Sequence, residues 1–203
     1  GRQHRRSSRE SLDCAMALQV LQAMGVSNII TFDAHDPRVQ NAIPGGSFES
    51  VMPSYQIFKA LLKKDKSLNI DKEHMMVVSP DEGALDRNIF YASVLGLDMG
   101  MFYKRRDYTR IVNGRNPIVA HEYMGNEVEG KDIFVADDIL SSGESMIDVA
   151  RNLKSRNANR IFAAVTFPLF TNGLELYNKA YEEGLIDGVI STNLTYRTPE
   201  LQA

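Results

Sequence analysis

Val135-Ala136-Asp137-Asp138-Ile139-Leu140-Ser141-Ser142-Gly143-Glu144-Ser145 is the stretch from which the fold of this chain is read. An apolar run that ends in two aspartates and then in small residues reads as a buried β-strand, a tight turn and the start of a helix. In open α/β sheets ligands bind at the carboxyl ends of such strands. The turn Ser141-Ser142-Gly143-Glu144-Ser145 places unpaired backbone N–H groups and the positive end of a helix dipole at one point, which is a phosphate cradle. Gly143 lets the backbone approach an anion closely, and Ser142 and Ser145 add hydroxyl donors. Asp137 and Asp138 can accept hydrogen bonds from vicinal sugar hydroxyls. One loop can therefore hold both ends of a ribose 5-phosphate. The plainer alternative is a helix N-cap, but a cap needs only one Ser or Asp.

Outward from this loop the chain alternates strands and amphipathic helices. Strands are expected at 28–33, 75–79, 98–103, 133–137, 160–165 and 188–191, with helices at 53–63, 82–95, 144–156 and 172–184. Ser7-Ser-Arg-Glu10 reads as a capping box for an earlier helix carrying Leu12, Ala15, Leu18, Val20, Leu21 and Met24, stopped by Gly25. The run Asn28 to Asp33 is expected to be a buried strand. Such alternation predicts an α/β fold, a mainly parallel sheet flanked by helices. Two stretches interrupt it. Residues 36–50 hold two prolines and a Gly-Gly pair and are expected to form a loop or crossover, and the basic segment 104–120, with Asn-Gly and Asn-Pro, a long mobile loop.

Bulk properties narrow the function classes. The 203 residues suffice for one large domain or a domain and part of another. No apolar run reaches the roughly 18 residues of a membrane-spanning helix. Cys14 is the only cysteine, which excludes an internal disulfide and fits a reducing cytoplasm. Residues 1–10 and 104–110 each carry a net charge of +3, leaving −9 on the rest of a chain whose total is −3. An acidic body with two short basic clusters argues against nucleic acid and for small polyanions. The chain opens without an initiator methionine, so a fragment is expected. Neither a phosphate-binding Walker run nor a nucleophile elbow occurs.

Asp-Asp-x-x-Ser-Ser-Gly-x-Ser at 137–145 resembles the phosphoribosyl-pyrophosphate loop of the type I phosphoribosyltransferase fold, with serines where threonines are usual. Further stretches, in order along residues 2 to about 195, resemble the ribose-phosphate pyrophosphokinase family. These are Arg2-Gln3 with its basic run, Thr31-Phe-Asp33-Ala-His35 with Gln40, Val78-Ser-Pro-Asp81-Glu-Gly83 with Arg87, and Lys104-Arg-Arg106. The resemblance implies ATP contacts for Arg2, Gln3 and His35, a metal or diphosphate role for Asp81, and catalytic cations at Lys104 and Arg106. Where the family commonly has a second glycine and a basic pair, this chain reads Ala84-Leu85-Asp86, which changes the fine contacts of that loop.

Chemistry supplies its own reading of each position. Asp33 and His35, two apart at a strand end, are expected to share one face and to hold Mg²⁺ or its waters. The plainer reading is that His35 closes the strand end and that Asp81 caps the helix behind it. Lys104 and Arg106, also two apart, can place fixed charge over a transferring phosphoryl group. The implied reaction moves diphosphate from ATP to the 1-hydroxyl of ribose 5-phosphate, with Ser141, Ser142, Gly143, Glu144 and Ser145 on the 5-phosphate. Mg²⁺ is the implied cofactor and a homo-oligomer the implied assembly. Two alternatives share the loop: a phosphoribosyltransferase acting on a base, and a non-catalytic subunit of the synthetase. Residues 1–45 are expected to be the remnant of an amino-terminal phosphoribosyltransferase-like domain, and 46–203 the ribose-phosphate domain.

Overall fold

The structure is a computed structural model that describes residue 3, residues 8–106 and residues 118–196; for 104–106 and 118–121 it describes the backbone alone. The chain parts into two compact units, 1–53 and 54–203.

In the first unit, helix α1 (Asp13–Ala23) precedes strand β1 (Asn28–Phe32), a 3₁₀ turn (Pro37–Ala42) and strand β2 (Ser47–Val51). Here four expectations are corrected. The helix starts at Asp13 with Leu12 at the N-cap and no side-chain cap, so the box at Ser7–Glu10 does not start it; Ser7 itself lies outside the described residues. Strand β1 is not buried: among the described residues β2 alone pairs with it, in parallel. Ile30 is 67% exposed and Phe32 37%. Residues 36–50 are not all loop. Pro37 at the first helical position, with the Asp36 carboxylate accepting from the Arg38 N–H at 3.0 Å, starts the 3₁₀ turn. The polar strand Ser47–Val51 then gains its place only by pairing with β1. Of the apolar stripe on α1, Ala15 and Leu18 are buried, while Val20, Leu21 and Met24 stay exposed. Leu18 packs with Val39 and Ile43.

The second unit is built on six strands: β3 (Met75–Ser79), β4 (Asp98–Arg106), β5 (Ile118–Gly125), β6 (Asp132–Leu140), β7 (Ile161–Pro168) and β8 (Gly188–Ser191). They lie in the order β5-β4-β3-β6-β7-β8. All neighbours run parallel except β4 with β5. The mainly parallel sheet read from the sequence is therefore present. Apolar runs explain it: Met75–Val78 of β3 and Ile133–Ala136 of β6 are buried throughout, as strands covered on both faces must be. Helices α2 (Ser54–Lys64) and α3 (Leu85–Leu95) cover one face, where the rings of Phe58, Tyr91 and Phe134 meet at 5.3–5.6 Å. On the other face α4 (Glu144–Lys154) buries Ile147, Val149, Ala150 and Leu153, and α5 (Glu175–Glu182) buries Tyr177 and Ala180. Each large aliphatic side chain so buried contributes about 1.5–3 kcal/mol.

The basic segment departs from its expectation too. Strand β4 runs on to Arg106, and Ile118–Gly125 is a strand antiparallel to it, with Lys104 opposite His121 and Arg106 opposite Ile118. Residues 107–117 lie outside the described residues. The β-branched and aromatic content of Ile118-Val-Ala-His-Glu-Tyr123 favours the strand. Its edge position hid that signal behind the Asn-Gly and Asn-Pro turns.

The connections fix where a ligand can enter. From β3 the chain passes through α3 to β4 on one side, whereas from β6 it passes through α4 to β7 on the other. The adjacent β3 and β6 thus form the topological switch point, and the loops leaving their carboxyl ends diverge.

Candidate functional site

At the switch point β3 and β6 stop pairing after Val77 and Phe134. Asn88 of α3 fills the gap. Its side-chain N–H groups donate to the carbonyls of Ala136 and Ala84, both at 2.8 Å, and its carbonyl accepts from the Ala136 N–H at 3.1 Å. Asn88 is completely buried, so these bonds replace a ladder that would otherwise be lost. The consequence is a fixed exit for Asp137 and Asp138.

The twin aspartates do not face the same way. Asp137 keeps 30% of its side chain exposed and Asp138 only 7%. Arg87, itself buried, lies 3.8 Å from an Asp137 oxygen and 3.6 Å from an Asp138 oxygen, close enough for charge but beyond hydrogen-bond length. Each acid also accepts the N–H of the next residue, Asp138 and Ile139, at 2.9 Å. Burial, then the neighbouring Asp138 charge and its hydrogen bond, and then the Asp81 charge push the Asp137 carboxyl up from 3.8 to about 8, while Arg87 pulls it down. Acids raised in this way by burial and like charge are common at functional sites.

Beyond the acids, Gly143 stands at the N-cap of α4 with φ +87°, a conformation that disfavours any side chain. A Cβ added there would lie 2.5 Å from Cζ of Tyr177, so glycine is required twice over. No side chain caps α4, and the first bond returning to the turn is from the Ile147 N–H to the Gly143 carbonyl at 3.1 Å. The first-turn amides before Ile147 thus have no acceptor within the helix. Ser141, Glu144 and Ser145 are exposed and Ser142 half-buried. The Ser141 hydroxyl lies 3.3 Å from that of Thr171, whose N–H donates to the Ser141 carbonyl at 3.1 Å.

Asp81 sits in the loop leaving β3, and one of its oxygens accepts from the Ala84 N–H at 3.1 Å. It therefore also shapes the turn into α3, which starts at Leu85 rather than near Glu82. Asp86 is exposed on the first turn of that helix, where a negative charge suits the dipole.

The first unit carries the remaining candidates. Asp33 follows β1 with φ +40° and is only 3% exposed, while His35 is exposed. The left-handed turn at Asp33 breaks the two-residue alternation, so the expectation that the two side chains share a face is corrected. Gln3 accepts from the Asp36 N–H at 2.6 Å through its side-chain carbonyl. Arg2 and the side chains of Lys104 and Arg106 lie outside the described residues. Among the described residues no group of three or more His, Cys, Asp or Glu side chains has the arrangement of a metal-ligand cluster, and no helix is long and apolar enough to cross a membrane.

The site thus brings together Asp81, Asp137, Asp138 and the 141–145 turn. Sequence reasoning gave no role to Asn88 or Tyr177. An asparagine on the apolar stripe of α3 was the visible sign of the first; Tyr177 gave none, because its partner is a glycine on another helix.

Comparison with known proteins follows the same lines. Residues 46–184 match the model of the phosphoribosyl transferase domain family. The chain is 30% identical over 201 residues to a ribose-phosphate pyrophosphokinase from Vibrio cholerae, covering 98% of the chain and 58% of that protein. It is 29% identical over 196 residues to one from Thermosipho africanus, covering 94% and 57%. The chain spans a little over half the length of these relatives. Among solved structures, phosphoribosylpyrophosphate synthetase from Mycobacterium smegmatis superposes with a TM-score of 0.77 at 20% identity, over 98% of this chain and 59% of that one. At that identity the likeness is one of fold.

Proposed function

Because the chain belongs to the phosphoribosyl transferase domain family, we propose that its second unit binds ribose 5-phosphate at the switch point. We propose further that the whole protein transfers diphosphate from ATP to the 1-hydroxyl of that sugar. The observation that carries the reading is the first turn of α4, uncapped by any side chain, which follows the twin aspartates in the chain. The amides of 141–145 take the 5-phosphate, with the serine hydroxyls as further donors. Asp137, the more exposed acid, accepts from the ribose diol, and Asp138 completes the pair while holding Arg87 close. Relatives that bear the name ribose-phosphate pyrophosphokinase over nearly the full chain support the kinase over a base-dependent transferase.

In the reaction the ribose 1-oxygen attacks the β-phosphorus of ATP, the bond to the α-phosphate oxygen breaks, and AMP leaves. The work of the protein is positioning and charge stabilisation. We assign Lys104 and Arg106 to the diphosphoryl charge, and Arg2, Gln3 and His35 to ATP. Mg²⁺ fits the donors: it accepts one or two carboxylates and otherwise keeps waters and phosphate oxygens, so a three-residue cluster is not needed. Asp81 is the side chain of the second unit that we assign to it; in the first unit we assign Asp33 and His35 to metal or its waters. When bound it would offset phosphate charge. A cytoplasmic homo-oligomer is part of the same proposal.

AMP release from ATP, assayed on the complete protein with Mg²⁺, is expected to depend on ribose 5-phosphate. Release that ignores ribose 5-phosphate contradicts the kinase. Pyrophosphate release that instead depends on an added base would assign the protein to transfer onto bases.

A further inference from the structure

Among the described residues, the Tyr177 hydroxyl is buried with no hydrogen-bond partner. Tyr177 is 5% exposed, and its ring stands edge-on to Phe170 at 5.5 Å. Its hydroxyl presses on Gly143 of the anion loop, so that it occupies the space a side chain at Gly143 would take. Phenylalanine would provide the same packing without the cost of an unsatisfied buried hydroxyl. Burial and the charge of Asp137 both raise the Tyr177 pKa, so the hydroxyl keeps its proton and remains a donor.

We propose that Tyr177 is a positioning residue for the anion loop, whose hydroxyl gains a backbone acceptor in the Ser142–Gly143 segment when a sugar phosphomonoester draws the loop amides onto itself. The inference rests on the reading of 141–145 as the phosphate cradle. Glycine makes the movement feasible, because no side chain at 143 has to be carried past the tyrosine ring. The unliganded protein bears an unpaired donor, and binding relieves it. Ligand affinity therefore includes part of a hydrogen bond that the ligand does not itself make.

The test is Tyr177→Phe in the full chain, with titration calorimetry of ribose 5-phosphate and thermal unfolding with and without it. Unliganded Tm should rise by about 2–4 °C, since an unpaired buried donor is removed. Affinity for ribose 5-phosphate should fall roughly tenfold. Opposite movements of stability and affinity are what packing alone would not produce. Unchanged affinity, or a Tm that falls equally with and without ligand, overturns the proposal. A second measurement needs no variant: exchange of the Tyr177 hydroxyl proton in the wild-type protein should slow on adding ribose 5-phosphate, and exchange that does not slow overturns it. Wild-type protein that fails to bind ribose 5-phosphate removes the cradle reading and this inference together. Binding that the variant leaves untouched removes the inference alone.

Discussion

In the carboxyl half of β6, Asp137 and Asp138 follow five buried residues and lie near Arg87 and Asn88, ahead of the turn into α4. At the end of β1, Asp33 and His35 follow a strand with a single neighbour among the described residues and with Ile30 and Phe32 exposed. Both regions follow one rule, a strand that delivers a polar pair into a turn. The difference is support. Strand β7 on one side, a helix on each face and a buried asparagine where β3 no longer pairs support the acids of β6. After β1, Asp33 is left-handed and buried, while His35 is exposed. Packing gives the two acids of β6 a defined setting, whereas Asp33 and His35 differ sharply in exposure.

Glycine substitutions should separate the two regions most sharply. Gly143→Ala combines a left-handed φ with overlap against Tyr177, and is expected to cost about 2–4 kcal/mol and to abolish sugar-phosphate binding. Gly25, with φ +95° and nothing within 4 Å of its would-be Cβ, should cost only about 1 kcal/mol on the same change. Denaturant unfolding of the two variants reads the contrast; equal losses would dissolve it. Next in size is Asn88→Ala, which leaves the Ala136 N–H and carbonyl unpaired beside the acids. It should destabilise by about 2–3 kcal/mol, seen as a lower denaturant midpoint with lost protection of the Ala136 amide in hydrogen exchange.

Titration of Asp137 gives a subtler effect. Its folded pKa lies above the unfolded value, so its contribution to stability is present below about pH 4 and is lost as pH rises from there through about 8. Asp137→Asn removes that loss. The variant's Tm relative to wild type should climb between pH 5 and pH 8 by a few degrees, roughly, while its affinity for ribose 5-phosphate falls. A Tm difference that stays flat across this window would mean that Asp137 titrates as an ordinary surface acid. Smallest of all is Ile30→Thr in the first unit. With the side chain already 67% exposed, the change should stay within about 0.5 kcal/mol by the same unfolding assay. A large loss there would show that β1 is better supported than its single partner indicates.

The parts of the fold readable beforehand are those that local pattern determines. Met75-Met-Val-Val78 is an unbroken apolar run, the pattern of a strand covered on both faces. Val135 to Ser145 carries strand, acids and turn in one run. Strand β2 was invisible because Ser47, Glu49 and Ser50 are polar and follow Pro44-Gly-Gly, so that only pairing with β1 makes it a strand. Strand β5 was hidden in the same way, through its dependence on β4. Within the site, Asp137 and Gly143 announced themselves. The inward turn of Asp138 did not, because it depends on Arg87 far back in the chain, as the splaying of β3 from β6 depends on Asn88.

The claim beneath all of this is that the backbone amides of residues 141–145 hold the phosphate while Asp137 holds the sugar. Amide resonances of the ¹⁵N-labelled chain, followed while ribose 5-phosphate is added and again with inorganic phosphate, test it directly. Both ligands should shift Ser141 to Ser145, and only ribose 5-phosphate should also shift Asp137 and Asp138. Shifts confined to other parts of the chain, with 141–145 unmoved, would contradict it.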